Sequence, residues 1–440
     1  MKRREFAQSL AAAAAAAAIP GARANAMSPR RAPGVNGGRL NGWLTAIGEF
    51  GKNPQGGVTR LAYSDADVAA RAYTMQLMRD AGLDVNIDAA GNIFGKRAGT
   101  DASAKPVIFG SHVDSVPEGG NYDGNVGTLA AVEVARTLGE LGVTTTHPLW
   151  VVCWQNEEGG TWGSHLVTKE SSAADIATVA GSGKSIADGI RFIGGDPARL
   201  PGARLRKGDV HGYLELHIEQ GGNLDRDRRD IGIVEGIVGL REWDVTIAGF
   251  ANHAGTTPMN ERHDAMLAAA RFTEMVNRIV TSEPGRQVGT VGRLQAFPGA
   301  PNVVPGKVAC TLELRDLDDR KIQRLYDTIV AESLKIGELN GTTFAYHEFV
   351  THESAPCDVR VRALIGASAR SRGFSTMSLP SGAGHDAQNM ARVCPMGMIF
   401  IPSVGGISHS PREFSRPGDI TNGANVLLGT VLALDAATFR

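Results

Sequence analysis

The strongest constraint on the fold is a strand–helix–strand pattern in the first half of the chain. The apolar runs at residues 107–110 and 149–154 read as buried strands, and residues 127–141 between them carry helical patterning. Alternation of this kind is α/β order, with near-continuous apolar runs because parallel strands are covered on both faces. The run at 213–219 differs. Leu214, Leu216 and Ile218 fall on one face and Glu215, His217 and Glu219 on the other, so one face packs and the other is free for chemistry.

At 440 residues the chain exceeds one average domain, and two or three are expected. A second αβ segment begins near Leu240, with strands predicted at 243–247 and 308–314 and helices at 264–280 and 318–339. Polar motifs resume after about Glu353. The spacing therefore predicts a discontinuous first domain at 35–239 and 354–440, interrupted by an inserted α+β domain at 240–353.

Lys plus Arg number 45 against 46 Asp plus Glu, so no basic field exists to hold nucleic acid or an anionic membrane, and a small molecule or peptide is the expected partner. Residues 1–26 read as an export signal. Lys2, Arg3 and Arg4 precede Phe6 and an alanine run, and Ala22-Arg23-Ala24 offers a small-residue cleavage site. The paired arginines favour the twin-arginine route, which predicts a periplasmic mature protein. The four cysteines form no CxxC pair; Cys153 and Cys310 read as core, and a Cys357–Cys394 disulfide is left open.

The strand ends hold the polar residues. His112-Val113-Asp114 follows the first run, and a period of two puts an imidazole beside a carboxylate able to fix its tautomer. Asp123 lies in a glycine-rich turn before the helix. The second run enters Asn156-Glu157-Glu158-Gly159, where adjacent carboxylates point in different directions: one can ligate a metal while the other moves a proton. His217 and His409 complete the donors. Singly, these residues read as a polar pair, a helix cap, an acidic turn and structural histidines. Together they supply two imidazoles plus a bridging carboxylate, and an imidazole plus two carboxylates, which suits two borderline divalent ions.

With these motifs the chain resembles the amidase, hydantoinase and carbamoylase family of dinuclear zinc hydrolases, a branch of the aminoacylase-like metallopeptidases. GSHVDSVPEGGNYDG, NEEGG, LELHIEQGG, NHAGTTPM, GAPNVVPG, LELR, SGAGHDA and GISHSP match in order from about residue 40 to 440. The resemblance implies a two-domain, metallopeptidase-like fold: a mixed-sheet catalytic domain with helices on both faces, plus an inserted lid and dimerisation domain. It implies two Zn²⁺ or Mn²⁺ ions held by His112, Asp123 (bridging), Glu158, His217 and His409, with Glu157 as general base and Asp114 in support. Substrate contacts are implied for Gln220, His253, Asn302 and Arg315, with His385 near the site. The implied homodimer would bring inserted-domain residues to the active site of its partner, with hinges near 238–241 and 352–356.

The four contact residues suit their roles chemically. Arg315 offers a planar fork for a carboxylate, Asn302 and Gln220 can pair with carboxylate or amide edges, and His253 can donate to a developing oxyanion. The chain departs from the family pattern after the paired glutamates. Ser-Arg-Phe and a longer stretch are replaced by Gly159-Gly160-Thr161-Trp162 running directly into Gly163-Ser164. A cation is thereby missing, so the hydrolytic machinery carries over and any particular family substrate does not.

The expected reaction is hydrolysis of a linear C–N amide or ureido bond in a small carboxylate-bearing molecule. N-carbamoyl-L-amino acids lead, followed by allantoate or ureidoglycolate. A dipeptidase or aminoacylase would share the metals and Glu157. An exported two-lobed binding protein would not need that base.

Overall fold

A computed structural model describes residues 33–439. The proposed export signal at 1–26 lies outside the described residues. The chain divides into two compact units: one comprises residues through Glu235 and from Cys357 onward, the other is Gly236–Pro356.

The first unit is built on a mixed sheet. Its strands are β1 (Asp84–Ile87), β2 (Ile93–Arg97), β3 (Val107–His112), β4 (Leu149–Trp154), β5 (Gly212–Ile218) and β6 (Ile231–Ile237), and Met396–Ile401 and Thr376–Ser381 also belong to it. The order runs β1, β2, β4, β3, β5, Met396–Ile401, β6, with Thr376–Ser381 paired to β6. β4, β3, β5 and Met396–Ile401 are mutually parallel, while β2 and β6 run antiparallel to their neighbours in that group. Four adjacent strands therefore end on the same edge, and the loops after them share one crevice, the usual ligand position of open α/β sheets.

Burial explains this arrangement. Every residue of β3 and β5 is buried, as the parallel-strand expectation requires. For β5 this goes beyond the expected one-face pattern, since the polar face bearing Glu215 and His217 is also closed off from solvent. The helix Asn125–Glu140, rich in Ala, Val and Leu, is buried along most of its length and starts two residues before the predicted Gly127. Its N-cap is Gly124 at φ 65° with no side-chain cap, so Asp123 does not act as a helix cap and its carboxylate is directed elsewhere. Glu133, fully buried on this helix, is matched by Arg39 at 2.7 Å. That pair anchors the first helix, Gly37–Ile47.

The inserted unit is a sheet covered by two helices. Gly239–Ala248 lies between Lys307–Asp316 and Thr343–His352, all antiparallel. Trp243, Val245 and Ile247 alternate inward against Val308, Cys310, Leu312 and Leu314, beneath the helices Ala265–Ser282 and Asp319–Asn340. Asp264 and Asp318, the predicted first residues, act as the caps of these helices, which begin one residue later. All four cysteines are buried and unpaired, and the Cys357 sulfur lies 3.5 Å from that of Met396.

Candidate metal centre

The parallel strand ends deliver the ligands. His112 closes β3, Glu157 and Glu158 follow β4, His217 precedes the end of β5, and His409 lies in the loop after Met396–Ile401. Asp123, in the turn after β3, meets all three imidazoles. His217 Nε2 stands 3.0 Å and His112 Nε2 3.5 Å from its Oδ1, and His409 Nε2 stands 3.5 Å from Oδ2. His409 Nε2 is also 3.5 Å from Glu158. Two donor groups result, His112/Asp123/His217 and Asp123/Glu158/His409, which share the Asp123 carboxylate.

The surrounding hydrogen bonds indicate what these groups await. Nδ1 of His112 faces the Asp114 carbonyl at 3.1 Å, and Nδ1 of His217 faces the Ile218 carbonyl at 2.9 Å. A carbonyl only accepts, so Nδ1 carries the proton in each ring and the neutral Nε2 presents a lone pair. Both Nε2 atoms face the Asp123 carboxylate, so the three side chains together can hold a divalent cation. His112 Nε2 and Glu158 Oε1 are buried with no hydrogen-bond partner. The donor set of nitrogen and oxygen atoms therefore fits divalent metal, with Asp123 common to both groups.

Electrostatics agree. Burial pushes the Glu157 carboxyl well above its ordinary range, with His112 opposing and Asp386 and Glu158 reinforcing. Glu158 is pushed up to about 7 by burial and by Asp123. Asp123 runs the other way: burial is outweighed by His217, His112 and His409, which hold it well below the usual carboxylate range. Burial disfavours charge on His112, yet Glu157, Asp123 and Asp114 lift it well above an ordinary imidazole. Buried carboxylates and imidazoles gathered this closely at one sheet edge form a strongly charged cluster of the kind that takes a divalent cation.

Glu157 belongs to neither donor group and lies 3.7 Å from His112 Nε2. Its position is set from behind by Asp114, whose two carboxylate oxygens accept the backbone N–H groups of Glu157 (3.2 Å) and Glu158 (3.1 Å). Asp114 thus fixes the His112 tautomer through its carbonyl, while its carboxylate, expected to do so, aims the paired glutamates instead. Asn156, Gln220 and His409 adopt φ of 50°, 59° and 51°. Non-glycine residues in this left-handed region cost about 1–3 kcal/mol each and cluster where a site over-determines its geometry. Gly124 admits no side chain, since a Cβ there would lie 2.4 Å from the His112 ring.

Gln220 donates from Nε2 to Asp123 at 2.7 Å, and its Oε1 is buried without a partner. His385 is 1 % exposed and packs edge-on against His217, with ring centroids 4.6 Å apart. That contact favours holding a ligand ring over touching substrate. The shortened segment after Glu158 turns tightly, with Thr161 at φ 53°, into the helix Trp162–Thr168, and Ser164 hydrogen-bonds Asp386 at 2.5 Å.

Within the inserted unit, the ribbon pairing Asn252–His253 with Val303–Val304 brings His253 next to Asn302, whose carbonyl accepts the Ala254 N–H at 2.9 Å. His253 Nδ1 accepts from Gly255 and Thr256, both at 3.1 Å, so Nε2 carries the proton and is presented as a donor. Arg315 pairs with Glu313 at 2.8 Å.

Two residues near the metal centre escaped the sequence reading. Arg60, fully buried, donates to the Val113 carbonyl (2.6 Å) and the Asn125 side chain (3.1 Å), tying the loop after His112 to the helix after Asp123. Glu413, 5 % exposed, bonds to the loops bearing Asp123 and His409. Neither sits in a periodic segment; the one available signal was an acid four residues after His409.

Residues 108–433 match the model of Peptidase family M20/M25/M40. The chain is 40% identical over 405 residues to an N-carbamoyl-L-amino acid amidohydrolase of Geobacillus stearothermophilus, covering 91% of this chain and 99% of that protein. It is 33% identical to an allantoate amidohydrolase of Bacillus subtilis (strain 168), covering 88% and 95%. Among solved structures, an amidase of the hydantoinase/carbamoylase family from Burkholderia multivorans superposes with a TM-score of 0.85 at 35% identity, covering 92% of this chain and all of that one.

Proposed function

The chain belongs to Peptidase family M20/M25/M40, and from that premise we propose that it hydrolyses the C–N bond of a small ureide bearing a carboxylate. N-carbamoyl-L-amino acids lead, and allantoate or ureidoglycolate follow. The observation that carries this reading is one carboxylate, Asp123, shared by two donor groups, beside an acid, Glu157, that belongs to neither. The names of the relatives, two kinds of amidohydrolase acting on ureides, support the substrate class. They favour it over a dipeptidase, an aminoacylase or a binding protein.

His112, Asp123 and His217 would hold one divalent ion, and Asp123, Glu158 and His409 the other, with zinc or manganese suited to these donors. When bound, the ions supply Lewis acidity that polarises the scissile carbonyl and acidifies water. Glu157 then takes the proton of the attacking water and delivers it to the leaving nitrogen. Asp114 holds Glu157 at its post through the backbone. We assign Arg315 to the substrate carboxylate, Asn302 and Gln220 to its polar edges, and His253 to the developing oxyanion. The motif matches and the Nε2–H tautomer of His253 support these roles.

Zinc- and manganese-loaded protein should be screened on N-carbamoyl, ureide, N-acyl and dipeptide substrates, with chelation as the control. Turnover of ureides that vanishes on chelation and returns with metal is expected. Preference for dipeptides, or full activity without metal, would overturn the reading.

Two further parts of the proposal concern the whole protein. Export by the twin-arginine route predicts a mature N-terminus near Ala24 or Ala26, and protein retaining Met1 in the cytoplasm would refute it. A homodimer is the second part, and the motif resemblance is what supports it. A monomeric mass by light scattering would refute it.

A further inference from the structure

We propose that Glu413 is a positioning residue that builds the ion position of Asp123, Glu158 and His409 by fastening two loops that are remote in sequence. The inference rests on the two-ion reading above and assigns its second position a dedicated support. Oε1 of Glu413 accepts the backbone N–H groups of Tyr122 (2.9 Å) and Asp123 (3.1 Å). Oε2 faces the other loop, with the Ser408 hydroxyl at 2.8 Å and the His409 N–H at 3.3 Å. The hydroxyl of Ser408 also lies 3.1 Å from Asp123 Oδ2, so its single proton can serve either carboxylate. One buried side chain thus grips the residues before and at Asp123 with one oxygen and those before and at His409 with the other.

Two observations show that the loops are shaped around this carboxylate. A Cβ at Gly120 would lie 2.2 Å from Glu413 Oε1, so the glycine of the Asp123 turn makes room for it. His409 is held at φ 51°, a conformation a loop does not keep unaided, and its N–H is one of the four donors. His112 and His217 have no such dependence, because they sit on strands fixed by the sheet ladder. The position containing His409, whose side chain is 48% exposed, is therefore the one that needs a clamp.

Glu413→Gln tests this because it keeps the shape and removes one acceptor. The amide oxygen can satisfy the two N–H groups of the Asp123 turn, while its NH₂ faces Ser408 Oγ, which can accept, and the His409 N–H, which cannot. The lesion is thereby directed at His409. Titration of metal-free protein with zinc against a competing chelator should show the first ion bound as in unaltered protein and the second weakened about 10- to 100-fold, the range for lost support of a ligand. Activity of this variant should return as free zinc is raised. Ser408→Ala, which removes a donor without disturbing the carboxylate, should weaken the same ion by a smaller factor and serves if Glu413→Gln fails to fold.

Unchanged affinity for the second ion, or equal weakening of both, would overturn the proposal. A fall in thermal stability of the metal-free protein with both affinities intact would assign Glu413 a purely structural role and overturn it too. Fewer than two ions on the unaltered protein would instead overturn the two-ion reading itself.

Discussion

The metal centre and the inserted unit solve different problems with different materials. The centre places His112 and His217 on interior strands, at 0% and 1% exposure, and supports its ligand loops with buried Asp114, Arg60 and Glu413. The inserted unit offers His253 on an exposed two-stranded ribbon, Asn302 in the turn beside it, and Arg315 on a half-buried strand where it pairs with Glu313. Chemistry that must be repeated identically at each turnover needs atoms fixed to a fraction of an ångström. Recognition of variable substrates tolerates exposed, adaptable groups. The contrast predicts that substitutions at the centre remove catalysis outright, whereas those in the inserted unit grade it by substrate.

The largest effects should fall on the paired glutamates, and they should differ in kind. Glu157→Gln removes the proton carrier and leaves both donor groups intact, so turnover should drop about 10²- to 10⁴-fold with the metal content unchanged. Glu158→Gln removes a donor from the group containing Asp123 and His409, so it should lose one ion and recover in part when metal is raised. Metal content and kcat measured on the same preparations separate the two. Equal metal loss in both variants would mean that the division of labour between these neighbours is wrong.

How much of this was legible in the sequence follows from where each residue sits. The strand–helix–strand pattern is strong because both faces of β3 and β4 are covered, which leaves an unbroken apolar run ending in a polar motif. His112, Glu157 and Glu158 are visible for that reason. His217 was visible through alternation along β5, and the polar face that alternation marked for chemistry is itself buried: Glu215, on that face, accepts from Ser111 at 2.8 Å and Tyr213 at 2.9 Å in a closed polar network. Asp123 and His409 lie in loops, where residue type alone gives no role, and they became legible only as members of an ordered set of motifs. Arg60 and Glu413 stayed hidden. Burial of a charged side chain in a loop leaves no periodic trace, because its partners are backbone groups that every sequence possesses. The helix Asn125–Glu140 began earlier than its apolar pattern suggested because Asn125 is buried as a polar partner of Arg60 rather than exposed as a loop residue.

A smaller and more selective effect is expected from Arg315→Lys. The substitution keeps the positive charge and discards the fork that lets a guanidinium meet both oxygens of a carboxylate at once. A hydrogen bond to a charged group is worth about 1.5–3 kcal/mol, so kcat/KM for a carboxylate-bearing ureide should fall about 10- to 100-fold. Glu313 complicates the exchange in an informative way: it already holds the guanidinium at 2.8 Å, and it will hold a lysine ammonium by one contact in place of two. The substituted side chain is consequently both a weaker receiver and a less well-aimed one. The effect should appear mainly in KM, because the ions and Glu157 are untouched, and the metal content should stay at its unaltered value. An analogue in which the substrate carboxylate is replaced by a neutral amide supplies the decisive control. If Arg315 reads that carboxylate, the analogue is a poor substrate for the unaltered enzyme and the substitution hardly changes its kcat/KM. A similar loss for both substrates would place Arg315 among the structural supports of the sheet, and the contrast between a fixed centre and an adaptable reading unit would then have to be redrawn around Asn302 and His253.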